Sequence, residues 1–300
     1  MKILLLGKNG QVGWELQRSL APLGELISLG RDSRELCGDL TDLKGIAETV
    51  RSVAPDVIVN AAAHTAVDKA ESEQDLARTL NALAPGTLAQ EAKLAGTWLI
   101  HYSTDYVFDG SGDRPWAETD ATGPLSVYGA TKLEGEQLIQ RSGCRHLIFR
   151  TSWVYGARGG NFAKTMLRLA RERDNLNVIN DQFGAPTGAD LLADVTAHAL
   201  RTARQRPELS GLYHLVAGGV TSWHGYASFV IEFARRAGIA LKVEPGAIKP
   251  VPTTAYPTPA KRPNNSRMDT TKLQRTFDLH LPAWQTGVER MLSEVLDAGK

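Results

Sequence analysis

Three things are scarce in this chain: cysteine, long apolar runs and charge of one sign. It has two cysteines in 300 residues, Cys37 and Cys144. Two thiols cannot build a disulfide framework, and no paired Cys/His spacing suggests zinc, so they read as small thiols in a reducing compartment. The N-terminal Ile3-Leu4-Leu5-Leu6 is too brief for a signal-peptide core. Nothing downstream approaches the ~18 apolar residues of a membrane span. The expectation is a soluble, cytoplasmic protein without a membrane partner. Lys and Arg total 34 against 33 Asp and Glu, a net charge of +1. That balance argues against a nucleic-acid partner, since a general binder of phosphate backbones is basic. Gly-x-Ser-x-Gly, P-loop and His-Glu-x-x-His patterns are also missing, which removes the usual hydrolase, nucleoside-triphosphatase and zinc-protease readings. There is no internal repeat and no low-complexity linker.

What the chain does contain is a regular alternation in its first half. Lys2–Leu6, Glu25–Leu29, Asp56–Asn60, Thr97–Tyr102 and His146–Arg150 read as strands. Helical patterns lie between them near Gln11–Leu20, Asp42–Val53, Ala82–Ala95 and Val127–Gln140. The fold class is therefore α/β, a doubly wound parallel Rossmann sheet. Beyond Thr151 the rhythm breaks into helices at Asn161–Arg173, Ala189–Ala203, Trp223–Ala237 and Pro282–Leu296, with strands at Asn177–Ile179 and Leu212–Val216. Five prolines between Lys249 and Ser266 forbid a regular helix there. Two domains are expected at ~150 residues each. Residues 1–152, rejoined by 186–217, form the sheet domain; 153–185 and 218–300 form a smaller C-terminal substrate-binding cap.

Gly7-Lys8-Asn9-Gly10-Gln11-Val12-Gly13 follows the first strand and opens the first helix. Chance alone would give this glycine spacing about 0.2 times in such a chain. Its position is what makes it a dinucleotide turn. Gly7 turns the chain, Gly10 lets backbone approach a pyrophosphate, Gly13 lets helix pack on strand, and the helix N-terminus offers free N–H groups. After the second strand, Leu29-Gly30-Arg31-Asp32 gives space and a cation where a 2′-phosphate would sit, so NADPH is preferred over NADH; alternatively Arg31 is solvated and Asp32 caps the ribose. Asp39 would lie near the adenine. The small residues Ala61 and Ala63 suit a flat cofactor, with His64 and Thr65 after them; His64 in such a place is more often a polar loop residue than a catalyst.

Tyr128 and Lys132 stand one helical turn apart on one face. A Tyr-x-x-x-Lys pair arises by chance about 0.3 times, so spacing alone does not separate a catalytic pair from a surface one. The preceding strand, however, ends His101-Tyr102-Ser103-Thr104-Asp105. A phenol titrating near ~10 is a sluggish proton donor at neutral pH unless something lowers it. Lys132 and a cofactor cation are expected to do so, while Thr104 bonds the same carbonyl oxygen as Tyr128. The three residues would polarise a ketone, with hydride from the nicotinamide.

The glycine turn, the Ser103-Thr104-Asp105 strand end and the Tyr128/Lys132 pair resemble the extended short-chain dehydrogenases/reductases acting on nucleotide sugars. The resemblance narrows to the dTDP-4-dehydrorhamnose reductase family on Asn60-Ala61-Ala62-Ala63-His64-Thr65-Ala66-Val67-Asp68, Ser103-Thr104-Asp105-Tyr106-Val107-Phe108-Asp109-Gly110, Asn180-Asp181-Gln182-Phe183-Gly184-Ala185-Pro186-Thr187 and Arg262-Pro263-Asn264-Asn265-Ser266-Arg267. It covers essentially the whole chain. It implies NAD(P)H reduction of the C4 ketone of a dTDP-sugar substrate, the last step to dTDP-L-rhamnose for surface polysaccharide such as O-antigen.

By the same resemblance, Tyr128 is the proton donor, Lys132 its partner and Thr104 the tuning hydroxyl. Gly7, Gly10, Gln11, Val12, Gly13, Arg31, Asp39, Leu40, Ala61, Ala63, His64, Thr65 and Tyr102 would bind the cofactor together with Tyr128 and Lys132. Thr104, Asp105, Trp153 and Arg262 would meet substrate, Arg262 by a bidentate clamp on the diphosphate. On the residues alone, Trp153 is equally a core aromatic and Arg262 part of a solvated basic loop. The resemblance also implies a homodimer and Mg²⁺ between subunits, with Glu15, Asp190 and Glu294 at the acidic positions. Some relatives carry an acidic residue where Gly30 stands, and its absence agrees with NADPH.

Rival readings are a nucleotide-sugar 4,6-dehydratase, a 4-epimerase and a non-catalytic regulatory subunit like that of methionine adenosyltransferase. The dehydratase pattern has Glu where Tyr106 stands, and a phenol is a poor base for elimination.

Overall fold

The computed structural model describes residues 1–297. The first half builds β1 (Lys2–Leu6), α1 (Gln11–Leu20), β2 (Glu25–Leu29), α2 (Leu43–Val53), β3 (Val57–Asn60), the short α3 (Val67–Ala70) and α4 (Gln74–Arg78), α5 (Ala84–Ala95), β4 (Trp98–Thr104), α6 (Val127–Ser142) and β5 (Arg145–Thr151). The second half supplies β6 (Val154–Tyr155), α7 (Phe162–Glu172), β7 (Leu176–Ile179), β8 (Phe183–Gly184), β9 (Thr187–Gly188), α8 (Ala189–Gln205), β10 (Gly211–His214), β11 (Thr221–Ser222), α9 (Trp223–Arg236), β12 (Ile248–Val251), α10 (Thr271–Phe277) and α11 (Trp284–Asp297).

Six strands pair in the order β10-β5-β4-β3-β1-β2, every pairing parallel. This is the α/β, Rossmann-type sheet expected. Because strand side chains alternate between faces, Ile3 and Leu5 of β1 enter one core, with α1, α8 and α10, while Leu4 and Leu6 enter the other, with α2 and α5. All four are fully buried, which is why β1 reads as an unbroken apolar run. A third apolar cluster gathers α7, α9 and α11 around Tyr226, Ile231 and Leu292.

The chain order reverses beside β1, and a crevice opens there at the carboxyl ends of the strands. The Pro-rich segment becomes β12, parallel to β7, and then an irregular run. Asn264 and Ser266 tie the run to Phe183 through main-chain hydrogen bonds, and Asn265 ties it to Gly110.

The helix read from Ala82 begins earlier. A wide π-turn over Thr79–Leu83 joins α4 to α5, with Ala84 N–H reaching the carbonyl of Thr79. Pro85 has no N–H and signals a helix start in sequence, but the widened turn lets helix continue upstream of it.

Candidate active site

The dinucleotide turn is built as its residues require. Gly7 has φ +91°, and a Cβ there would lie 2.7 Å from the Ala62 amide nitrogen. A Cβ on Gly13 would fall 2.0 Å from the Gly7 carbonyl oxygen, so only glycine lets α1 pack this closely on β1. Gly10 caps α1 without any side-chain hydrogen bond, leaving the first N–H groups for an anion. This bare helix end, in a cradle that a Cβ would fill, fits a dinucleotide.

From the turn, a cleft of about 730 Å³ runs to the end of β4 and the start of α6. Gly7, Gly10, Gln11, Val12, Arg31, Asp39, Leu40, Ala61, Ala63, Thr65, Tyr102, Thr104, Asp105, Tyr128, Lys132 and Trp153 all line it. Gly13 lies beneath the turn rather than in the wall. His64 is buried behind the cleft, its Nε2 2.8 Å from Glu73 and its main-chain N–H donating to Asn81 Oδ1 at 2.8 Å. Arg262 stands apart too, donating to both carboxylate oxygens of Asp68 at 3.2 and 2.8 Å. Arg31 is largely exposed at the mouth and reaches Asp39 at 3.4 Å. Trp153 turns into the left-handed region at φ +50° and stacks on Trp223, ring centroids 3.7 Å apart.

At the inner end, Ser126 caps α6 by accepting from the Gly129 N–H. A Cβ on Gly129 would sit 2.2 Å from the Tyr106 carbonyl, so glycine brings α6 against the turn after β4 and Tyr128 beside Thr104. The Thr104 hydroxyl donates to Asp105 Oδ1 at 3.0 Å. Burial pushes the Tyr128 phenol up to about 12, against the hydrogen bond with Thr104, and the nearby Asp105 adds to the rise. Asp105 is itself raised to about 6 by burial, against hydrogen bonds from Ser266 and Thr104.

Burial is the largest influence on both the phenol and the lysine. The Lys132 ammonium position is turned towards Tyr102 O at 2.5 Å and His101 Nε2 at 3.2 Å, and burial pulls it down to about 8, with Glu136 opposing. Desolvation, which sequence spacing does not reveal, sets both signs.

The three acids assigned to Mg²⁺ do not assemble within one chain. Glu15 faces Arg18 at 3.5 Å, while Asp190 and Glu294 each face Arg290 at 3.4 Å. No group of three His, Cys, Asp or Glu among the described residues could hold a metal ion. Arg290 pairs with both Asp190 and Glu294.

The sequence reading missed Asn60, Ser152, Tyr106 and Trp223 as cleft residues. The first three abut the ends of β3, β5 and β4, where a parallel sheet places its ligands. Trp223 carries no local signal; it enters from α9 only through tertiary packing.

A glycine turn at a switch point, continuous with a Thr-Tyr-Lys set, defines a short-chain-type nicotinamide oxidoreductase. The comparisons sharpen this: the family model described as RmlD substrate binding domain matches residues 1–296, and the chain belongs to that family, the dTDP-4-dehydrorhamnose reductases. The dTDP-4-dehydrorhamnose reductase of Salmonella typhimurium strain LT2 is 64% identical over 295 residues, 98% of each chain. A crystal structure of the reductase from Clostridium acetobutylicum superposes with a TM-score of 0.88 at 34% identity, covering 99% of this chain and 100% of that one. The Bacillus anthracis reductase, in complex with NADP, gives 0.86 at 33% identity over 98% and 100%.

Proposed function

We propose that this chain reduces the C4 ketone of dTDP-4-dehydro-β-L-rhamnose to dTDP-β-L-rhamnose, with NADPH preferred and Tyr128 supplying the proton. The observation that carries the reading is that Thr104, Tyr128 and Lys132 line the same cleft as the glycine turn.

NADPH, when bound, supplies the hydride. The residues do the rest. The α1 N-terminus and Gly10 take the pyrophosphate, and Arg31 stands where a 2′-phosphate is read. Tyr128 is a phenol at neutral pH, so the proton it must deliver is present. Thr104 shares the carbonyl oxygen with it, and Lys132 holds the ribose. The stacked Trp153 and Trp223 give the sugar a flat wall. Arg262, held outside the cleft wall by Asp68, would turn its guanidinium to the diphosphate when substrate is bound. The working unit is proposed to be a cytoplasmic homodimer that binds neither nucleic acid nor membrane, and no helix of the described residues is long and apolar enough to cross one.

The test adds enzymatically generated dTDP-4-dehydrorhamnose to the protein with NADPH or NADH and follows nicotinamide absorbance. Consumption with dTDP-rhamnose as product, faster for NADPH, is the expected result. Cofactor binding without consumption would sink the reading.

A further inference from the structure

The segment Asn180-Asp181-Gln182-Phe183-Gly184 stands behind the aromatic wall of the cleft, and each of its residues is tied to a different neighbour. Asn180 Oδ1 accepts from the hydroxyl of Ser222, the N-cap of α9, at 2.6 Å. Asp181 Oδ1 accepts from the main-chain N–H and the hydroxyl of Thr253 at 2.9 and 2.6 Å. Phe183 exchanges main-chain hydrogen bonds with Asn264 and Ser266 of the Pro-rich run. On Gly184 a Cβ would come within 3.0 Å of Trp153 Cε2, so the Trp153 indole lies directly against that glycine.

Gln182 is 3% exposed and has both ends of its amide engaged. Its Oε1 accepts from Trp223 Nε1 at 3.0 Å, and its Nε2 donates to Thr253 Oγ1 at 3.1 Å. The two ends of this line fix its direction. An indole N–H only donates and a carboxylate only accepts, so the amide cannot be flipped, and the Thr253 proton goes to Asp181.

Trp223 carries the line to the cleft. Its ring stacks on Trp153 with planes 16° apart, and Phe162 tilts against it at 4.6 Å between centroids. Contacts of ring on ring hold an indole in its plane but leave it free to slide and turn there. A hydrogen bond to its single polar atom removes that freedom. Trp153 has most need of a fixed neighbour, because its left-handed backbone, φ +50°, is one that a side chain keeps only when its surroundings impose it. We propose that Gln182, which does not itself line the cleft, is a positioning residue for the sugar. It fixes Trp223, and Trp223 keeps Trp153 in place as an apolar surface for the C–H groups of a pyranose ring.

The proposal rests on a keto-sugar being reduced in this cleft, but its first test needs no substrate. In ¹⁵N-tryptophan-labelled protein, the Trp223 indole N–H is expected to be protected from hydrogen exchange. Gln182→Leu should remove that protection and move the Trp153 indole resonance, which feels the ring current of Trp223. With substrate, the same variant should raise the KM for the dTDP-sugar about three- to tenfold and leave kcat and NADPH affinity within about twofold. An unmoved Trp153 resonance, or a moved one with an unchanged KM, overturns the proposal. Trp223→Phe keeps a ring but has no N–H to hold, so it should raise KM by a similar factor, and adding Gln182→Leu should raise it no further. An unchanged KM in the phenylalanine variant, or a full further rise in the double variant, also overturns it. If Gln182→Leu does not fold, Trp223→Phe alone decides. Absence of reduction by the wild type would instead count against the proposed function, and the two resonances would still decide whether Gln182 holds the wall.

Discussion

Tyr128 is where residue-scale chemistry is most exposed to test. Tyr128→Phe keeps the ring and removes the proton, so turnover is expected to fall about 10²- to 10⁴-fold while NADPH affinity, read by fluorescence titration, stays within twofold. Equal turnover would remove Tyr128 from the proton-donor role. Asp105 makes the complementary prediction about stability. Its folded value, about 6, lies above the ordinary 3.8, so the folded state binds that proton more tightly than the unfolded one. Stability from this group is complete below the ordinary value and is lost as pH rises through about 6, by at most about 3 kcal/mol. Asp105→Asn should therefore raise the Tm at pH 8 and leave it nearly unchanged at pH 4. The Thr104, Tyr128 and Lys132 set was legible because its spacing is local. The direction of the Tyr128 shift was not, because burial sets it, and burial comes from elements far apart in sequence.

At the scale of elements, the middle of α6 is fastened to the sheet by a buried ion pair. Arg150 on β5 forks onto Glu136, both about 1–4% exposed. Arg150→Met strands a buried carboxylate and is expected to cost about 3–5 kcal/mol in urea unfolding. Adding Glu136→Leu should recover most of that loss, and no recovery would mean that Arg150 acts through its contact with the Phe108 ring instead. Strands with unbroken apolar runs, such as Ile3-Leu4-Leu5-Leu6, were readable because a doubly covered parallel strand must be apolar on both faces. The π-turn at Thr79–Leu83 was not, since it arises from a proline that ordinarily marks a beginning. It matters for the site: Asn81, within that turn, donates to His64 O at 3.1 Å and to Thr131 Oγ1 at 3.2 Å, joining the loop after β3 to the helix of Tyr128.

For the whole molecule, Asp68 of α3 and Arg262 of the Pro-rich run form an ion pair between segments far apart in sequence. If Arg262 serves the substrate diphosphate as proposed, Arg262→Ala is expected to raise the KM for the dTDP-sugar about tenfold or more with NADPH binding unaltered. If cofactor affinity falls instead, the pair is a brace for the dinucleotide half. Arg31→Asp should shift the NADPH/NADH preference towards NADH, measured as the ratio of kcat/KM values; an unchanged ratio would mean that Arg31 does not read the 2′-phosphate. The five strands of the first half and the helices α1, α2 and α6 follow from periodicity. The second half does not, because short strands such as β6, β8 and β9 take their conformation from partners distant in the chain.

The return of the chain to the sheet also bears on the order in which the protein can fold during synthesis. β10 closes the edge of the sheet with residues up to His214, and Leu273, Phe277 and Leu281 complete one of its two apolar faces. The sheet that holds the glycine turn is covered only by residues some 260 positions further along the chain. During synthesis, that apolar face of the sheet stays uncovered until those distant residues have been made.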